Sequence, residues 1–536
     1  MKNTTNNSTA TEYSWRERAL QAEAKASQKQ AQLEDAIKEM NYLKAQLRLL
    51  QAKRFGASSE KANKESKNQL KLFDDAFNEA EVTAEPLAQE PELITVPEHQ
   101  RKKKKGKRGT SLEGLPENII EYHLPEEEMV CSCCGHERHV IGQETTRELV
   151  VVPAQVHVDV HVQNVYGCRH CEAHGDGSQP VVIKAPKPKR AFPGSIASPS
   201  VVAHVIEEKY VMGSPLYRQE QQWARRGVNI SRQNMANWIS HAAENWFEPV
   251  YERMKAELLA QDIIMADETT IQCLKEDGKK AESKSYMWLY RSGRYSPGIV
   301  LYEYQSSRGR EHPRDFLKGF SGFLQTDGYA GYNNIPNVTN IGCLAHARRK
   351  FDEAIKAAGG KGKHPKACEG LDFCSRLYDI ERELSLLEPE ERYQERLKRS
   401  KPVLEAFSAW LHTTKEEVVV KSHLGLAIQY CLNQWAALNA FLLDGRLEID
   451  NNRSERSIKP FVIARKNFLF VDNPRGAKAS AITFSLIESA KENGLNPFEY
   501  LKYLLEQLPN ATITELDNYL PWSKVLPEHC RTPKRK

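Results

Sequence analysis

The stretch IIMADETTIQCL, residues 263–274, decides the fold class. Four apolar or small residues run into two adjacent acids and a β-branched pair, and the apolar side chains resume at Ile271. This is the pattern of a strand buried in a sheet, with charge where the strand leaves its cover. A carboxylate in such a place is costly unless it is paired or bound to a cation, so Asp267 is a candidate for chemistry. Glu268 beside it alternates to the opposite face and is read as a bystander. Working outward, KSYMWLYRS (284–292) and GIVLYEY (298–304) are two further strands, the first reached through the hairpin-like break EDGKKAES (276–283). RDFLKGF (314–320) is a helix, and GFLQTDGYAGY (322–332) is a strand ending in a loop at Asp327-Gly328, the strand terminus at which α/β sheets place their sites. NIGCLAHARRKFDEAIKAA (340–358) is a short strand turning into a helix, 365–445 is almost wholly helical, and a further helix is expected over Ser480–Asn493.

Upstream of this α/β region the chain changes character several times. With 536 residues, three or four units are expected. Residues 14–54 hold no Pro and no Gly up to Lys53, with Leu33, Met40 and Leu47 on one heptad seam and Ala36, Leu43 and Leu50 on the other. A short parallel coiled-coil dimer and a single amphipathic helix packed on its own chain both satisfy that pattern. Residues 55–118 are a linker carrying RKKKKGKRG (101–109), a run suited to non-specific phosphate contact or to a nuclear address.

Residues 119–190 form a small β unit in which Val156, Val158, Val160 and Val162 alternate with polar residues as in a strand. Cys131-x-x-Cys134 and Cys168-x-x-Cys171 flank it. Five of the 11 cysteines crowd this region, and four thiolates satisfy one tetrahedral structural Zn²⁺. Cys133, His136, His170 and His174 remain alternative ligands. The basic connector KAPKPKRAFPG (184–194) follows.

Residues 195–250 are helical. Ser198-Pro199 opens one helix, a second runs from Pro215 to Arg226, Gly227 ends it, and Ser231 caps a third, RQNMANWISHAAENW. Two helices about a glycine turn make a helix-turn-helix candidate whose third helix offers Arg232, Gln233, Asn234 and Asn237 to base edges or phosphates. A packing subdomain with a wet polar face is the competing reading.

A hydrophobic content of 40% and a charged content of 27% indicate a globular protein, and the net charge of +5 is modest and patchy. No run of about 18 apolar residues is present, and Met1–Arg18 lacks an apolar signal core, so a cytoplasmic protein without a membrane span is expected.

Metal-dependent phosphodiester chemistry needs carboxylates from separate elements that converge on two Mg²⁺ or Mn²⁺ ions. Asp267, Asp327 and Glu455 are the candidates. Glu455 sits in DNNRSERSIKP (450–460) among Arg453, Arg456 and Lys459, where an ion-pair role competes with it. Asp450 is expected to cap the helix that carries Glu455, and Asp444 is a loop acid.

At this point the chain resembles the insertion-sequence-66 family of bacterial transposases, the large subunit with a DDE catalytic domain. The resemblance is carried, in order, by LKAQLRLLQAKRFGASSEK (43–61), the paired CxxC knuckles, PLYRQEQQWARRGVNISRQNMANWI (215–239), ADETT (266–270), TDGYAGY (326–332), GCLAHARRKF (342–351), DNNRSERSIKPFVIARKNFLF (450–470) and SLIESAKENGLNPFEYLKYLLEQLP (485–509). It implies a multidomain α/β chain: an RNase H-like catalytic core over 255–490 with a helical insertion at 365–445, preceded by the coiled-coil helix, the zinc ribbon-like unit and the helix-turn-helix, and followed by a helical tail over 491–536. It implies that Asp267, Asp327 and Glu455 are the catalytic, metal-holding acids. It also implies that His346, Arg348, Arg349, Arg456, Lys459, Arg465 and Lys466 lie close enough to touch DNA. The partners implied are terminal inverted repeats and target DNA, a second copy of the chain, and accessory proteins of the same element. A non-catalytic zinc and helix-turn-helix regulator needs only the first 250 residues and leaves the acids unexplained.

Overall fold

The computed structural model describes residues 156–167 and 182–533, with the isolated helical positions Lys29, Met40 and Lys44. The chain divides into two units, one of which is residues 68–187. In that unit β1 (Val165–Gly167) pairs antiparallel with β2 (Val182–Lys184), Tyr166 opposite Ile183. The expected strand over 156–162 is not present. Strand pairing starts three residues later, and Val158, Val160 and Val162 stand 79–85% exposed. Alternation alone does not make a strand without a neighbouring backbone to take up its hydrogen bonds, and none of the described residues supplies one to 156–162. The zinc candidates Cys131, Cys134, Cys168 and Cys171, the linker and the rest of the coiled-coil segment lie outside the described residues.

In the other unit, the described chain from residue 188 onward leads first into helices. α1 (Pro199–Tyr210) starts where Ser198 Oγ accepts from Val201 N at 3.2 Å, with Pro199 supplying a fixed φ. α2 (Leu216–Arg225) ends at Gly227, whose φ of +79° lets the chain reverse. Ser231 Oγ accepts from Asn234 N at 3.2 Å and opens α3 (Arg232–Ala242), which passes through a π turn at Ala243–Phe247 into α4 (Glu248–Leu259). Met235, Trp238, Ile239, Val250 and Met254 are buried in one cluster with Trp288, Leu301 and Phe484. The segment expected as a separate helix-turn-helix domain is therefore a layer of the same core. The reason is the apolar face of α3, whose partner only the tertiary structure reveals.

The sheet has the order β5-β4-β3-β6-β7. β3 (Ile263–Gln272), β4 (Lys284–Ser292) and β5 (Val300–Gln305) form an antiparallel meander. The crossover through α5 (Glu311–Phe316) returns the chain to the far side of β3, where β6 (Gly322–Gln325) and β7 (Val338–Ile341) run parallel to it. β3 is central, covered on both faces, which explains its unbroken run of buried residues from Ile263 to Ala266.

A block of helices follows: α6 (Leu344–Ala358), α7 (Pro365–Glu383), α8 (Pro389–Glu417), α9 (His423–Asn433) and α10 (Trp435–Asn439). They close on their own core of Phe351, Phe407, Leu411, Ile428 and Phe441. The chain then returns through α11 (Asn452–Phe468) and α12 (Pro474–Glu492) to α13 (Pro497–Gln507). α12 begins six residues before the expected helix because Asn473 Oδ1 caps it, accepting from Gly476 N at 2.9 Å. α12 also covers the outer edge of β5. Ser485 and Ser489 Oγ accept from Tyr302 N (2.7 Å) and Val300 N (2.9 Å), so that edge is not left open to another chain. Among the described residues no helix is long and apolar enough to cross a membrane.

The helical block is fastened by one buried guanidinium. Arg396 is fully buried and donates to both oxygens of Glu381 (2.8 and 2.7 Å) and to the carbonyls of Phe441, Asp444 and Leu447 (3.0, 3.0 and 2.8 Å). Burial alone would raise the Glu381 carboxyl. Arg396 and Arg392 more than offset this and hold it below its ordinary value. Replacing Arg396 by Ala leaves Glu381 short of a partner and three carbonyls without a donor. The variant should lose about 3–5 kcal/mol, seen as a lower urea midpoint at unchanged slope.

Candidate active site

The last paired position between the parallel strands β3 and β6 joins Met265 to Gln325. Asp267 lies two residues further along β3, and Asp327 two residues past the end of β6 in the bend that follows it; the two carboxyls are near enough for the charge of Asp327 to act on Asp267. The Asp327 turn is tightly held. Its Oδ1 accepts from Tyr329 N at 2.9 Å, Gly328 takes a φ of +92°, Tyr430 Oη donates to Asp327 O at 3.2 Å, and Gln434 Nε2 donates to Gly328 O at 3.4 Å. Asp267 Oδ1 accepts from Glu268 N at 2.8 Å.

Glu455 reaches the same region from the first turn of α11. What places it is the loop just before. The Gln325 carboxamide donates to Glu448 O (2.6 Å) and Asp450 O (2.9 Å), and Asn451 Nδ2 donates to Ala266 O (2.9 Å), one residue from Asp267. Leu344 N donates to Ile449 O at 3.1 Å, and Asn451 N to Cys343 Sγ at 3.2 Å. Arg291, buried on β4, donates to Arg453 O at 3.3 Å and to the Ser457 hydroxyl, fixing the first turns of α11. Asp450 Oδ1 accepts from Asn452 N at 3.1 Å, and its Oδ2 accepts from Tyr378 Oη at 2.8 Å.

The site is short of positive charge. Asp267 is pushed well above the usual carboxylate range, first by burial and then by the like charges of Glu268 and Asp327, with a smaller push from Glu455. Burial also raises Glu455, helped by Asp450 and Asp327 and opposed by Arg349 and Lys459. His346 is held below its ordinary value by burial and by Arg349. His346 Nδ1 and an Arg349 nitrogen each stand 3.9 Å from a Glu455 oxygen, beyond hydrogen-bond reach, and neither Glu455 Oε1 nor His346 Nδ1 has a hydrogen-bond partner. Buried oxygens with raised carboxyls and an unpartnered acceptor suit a hard divalent cation. The three-donor group whose ligand atoms all lie within 4.8 Å of one another, among the described residues, is Cys343, His346 and Glu455; the two aspartates stand outside it.

The other candidates divide by position. His346, Arg349 and Lys459 adjoin Glu455. Arg465 donates to the Thr269 and Thr270 hydroxyls (3.2 Å each), bracing the strand that carries Asp267. Arg456 and Lys466 are exposed on α11. Arg348 is half-buried, and its charge acts on Cys374 of α7. Arg232, Gln233, Asn234 and Asn237 are all exposed at the start of α3, with Gln233 Nε2 donating to Asn237 Oδ1 at 3.2 Å.

Glu268 is buried and accepts from Tyr332 Oη (2.6 Å) and Arg308 Nε (2.8 Å). Sequence reasoning missed Gln325 and Asn451, which position the acids. A lone carboxamide at the end of the apolar run FLQ was the available signal for the first.

Residues 194–479 match the family described as "Transposase IS66 family", and 485–522 its "IS66 C-terminal element". Residues 128–172, which enclose all four zinc-ligand candidates, match the "zinc-finger binding domain of transposase IS66". Residues 42–120, read above as the end of the coiled coil and a basic linker, match "Transposase C of IS166 homeodomain". Among its relatives, uncharacterized protein y4jD of Sinorhizobium fredii is 34% identical over 427 residues, covering 76% of this chain and 81% of that protein. Uncharacterized protein y4hP of the same organism is 30% identical over 415 residues, 73% of each chain.

The raised carboxyl of Asp267 has a signed consequence. A carboxyl whose folded pKa lies above its ordinary 3.8 favours the fold while protonated and costs stability once ionised. Asp267→Asn should therefore melt above the wild type at pH 7 in chelator. The gap should close as the pH falls below 3.8, where the acid is protonated in both states. Thermal melts across that range, with and without Mg²⁺, check this; the ion should raise the wild-type midpoint more than the variant's.

Proposed function

Because the chain belongs to the Transposase IS66 family, we propose that it binds the ends of an insertion sequence, hydrolyses a phosphodiester there to free a 3′-OH, and joins that end to target DNA. The observation that supports the reading is the pairing of β3 with β6, which ends two residues short of both Asp267 and Asp327, together with the ties from Gln325 and Asn451 that fasten the loop before Glu455 to the same two strands. The sheet, three antiparallel strands continued by two parallel ones, supports an RNase H-like core with its helical insertion between the second and third acids.

Asp267, Asp327 and Glu455 would hold a pair of Mg²⁺ or Mn²⁺ ions, which supply an activated water or 3′-OH and stabilise the leaving oxygen. The chain's own residues do the positioning. The Asp327 turn is locked so that one of its oxygens is committed to the backbone and the other is left for ligation. Arg349 and Lys459 lie beside Glu455 and receive the phosphate, while Arg465 keeps the ADETT strand from shifting.

DNA ends are read by the exposed face of α3 and by the zinc unit, in which Cys131, Cys134, Cys168 and Cys171 hold one structural Zn²⁺. A second copy of the chain pairs the two ends through the N-terminal helix, and small proteins of the same element assist.

Asp267→Asn, Asp327→Asn and Glu455→Gln should each lower Mg²⁺-dependent cleavage of end-sequence DNA at least about a thousandfold while leaving DNA binding in place. Equal cleavage by wild type and variants would remove the enzymatic reading and leave a DNA-binding regulator. Cutting without joining would leave a nuclease. Arg232→Ala should weaken end binding and flatten its dependence on log salt concentration by about one unit, as measured by fluorescence anisotropy.

A further inference from the structure

Beside the acids lies a donor set of a different chemical kind. We propose that Cys343, His346 and Glu455 bind a softer divalent cation such as Zn²⁺, and that this ion competes with the Mg²⁺ pair by capturing the glutamate. The effect on cleavage rests on the function proposed above; the binding does not.

Cys343 caps α6 and His346 occupies its first turn, a Cys-x-x-His pair on one short arc. Glu455 faces them from the first turn of α11, and the two helix starts are tied together by the bond from Asn451 N to Cys343 Sγ. The three donor atoms already lie within 4.8 Å of one another. Donors around a single zinc, with bonds of about 2.0–2.3 Å, stand roughly 3.3–3.8 Å apart, so side-chain adjustments of about an ångström close the set.

Two of the donors are unsatisfied. Glu455 Oε1 and His346 Nδ1 are buried, have no hydrogen-bond partner, and stand 3.9 Å apart, too far to serve each other. A buried acceptor and a buried ring nitrogen left in this way are costly unless a third body joins them.

A neutral imidazole and a thiolate are the forms that ligate zinc, and the Asn451 N–H already points at the Cys343 sulfur. An arriving cation supplies the missing charge, and the thiol proton leaves to solvent. Three protein ligands with a fourth position open are a common zinc arrangement, whereas sulfur is a poor ligand for Mg²⁺. The two kinds of ion therefore sort themselves by softness and share only Glu455.

The test uses the full chain without DNA. Wild-type protein equilibrated with Zn²⁺ and freed of excess should retain one more zinc equivalent than Cys343→Ser or His346→Ala. Co²⁺ in place of zinc should give tetrahedral d–d bands that shrink by the same equivalent in both variants. His346→Ala preserves the sulfur contact, so it decides the matter if the cysteine variant misfolds. Equal zinc content and equal cobalt spectra in wild type and His346→Ala would overturn the proposal.

In cleavage assays at fixed Mg²⁺, micromolar Zn²⁺ should slow the wild type at least about tenfold, excess Mg²⁺ should restore it, and His346→Ala should lose the sensitivity. Protein that binds the extra zinc but cuts no DNA under any metal would count against the transposition chemistry alone.

Discussion

Two carboxamides hold the site together. Gln325 ends the run of strand β6 and reaches across to two carbonyls of the 448–450 loop, and Asn451 reaches back from that loop to Ala266 on β3. Both side chains are fully buried, where an unmade hydrogen bond costs about 1–3 kcal/mol, so each bond is strongly enforced. The position of the 448–451 loop follows from them. The loop they hold is the N-terminal anchor of α11, and α11 carries the one acid that does not come from the sheet.

The same kind of enforcement ties the entry helices to the sheet. The polar residues at the start of α3 face solvent, while Trp238 and Ile239 on its other side are buried in the cluster that backs the sheet. Tyr210 at the end of α1 bonds the Ser480 hydroxyl at 3.0 Å, tying the entry helices to α12 as well. The polar start of α3 is thus carried on the same packed core as the strand that bears Asp267.

Much of this was legible beforehand because the signals were local. The ADETT strand, its hairpin partner, the TDG turn, the Ser231 cap and the Gly227 break all depend on residues within a few positions of one another, and they fold where the pattern places them. Two features were not legible. The alternating valines of 156–162 promised a strand, but a strand exists only by its partner. The helix-turn-helix was expected to stand alone because its polar face is visible in sequence, whereas the layer under its apolar face comes from α12 and α13, more than 230 residues away. At the site, the acids could be nominated singly by their settings. Nothing local predicts that Gln325 and Asn451 bring Glu455 to them, since those contacts span 125 and 185 residues.

That span sets an order of events during synthesis. The strands bearing the two aspartates leave the ribosome well before Asp450, which lies 125 residues beyond Gln325. At 5–20 residues per second this is an interval of roughly 6–25 s. Throughout it the nascent chain exposes a half-built set of acids with no third member to complete it. A product stalled inside the helical block lacks α12 as well, whose Ser480 and Phe484 pack the entry helices, so neither the acids nor the polar start of α3 takes its final place until α12 has been made.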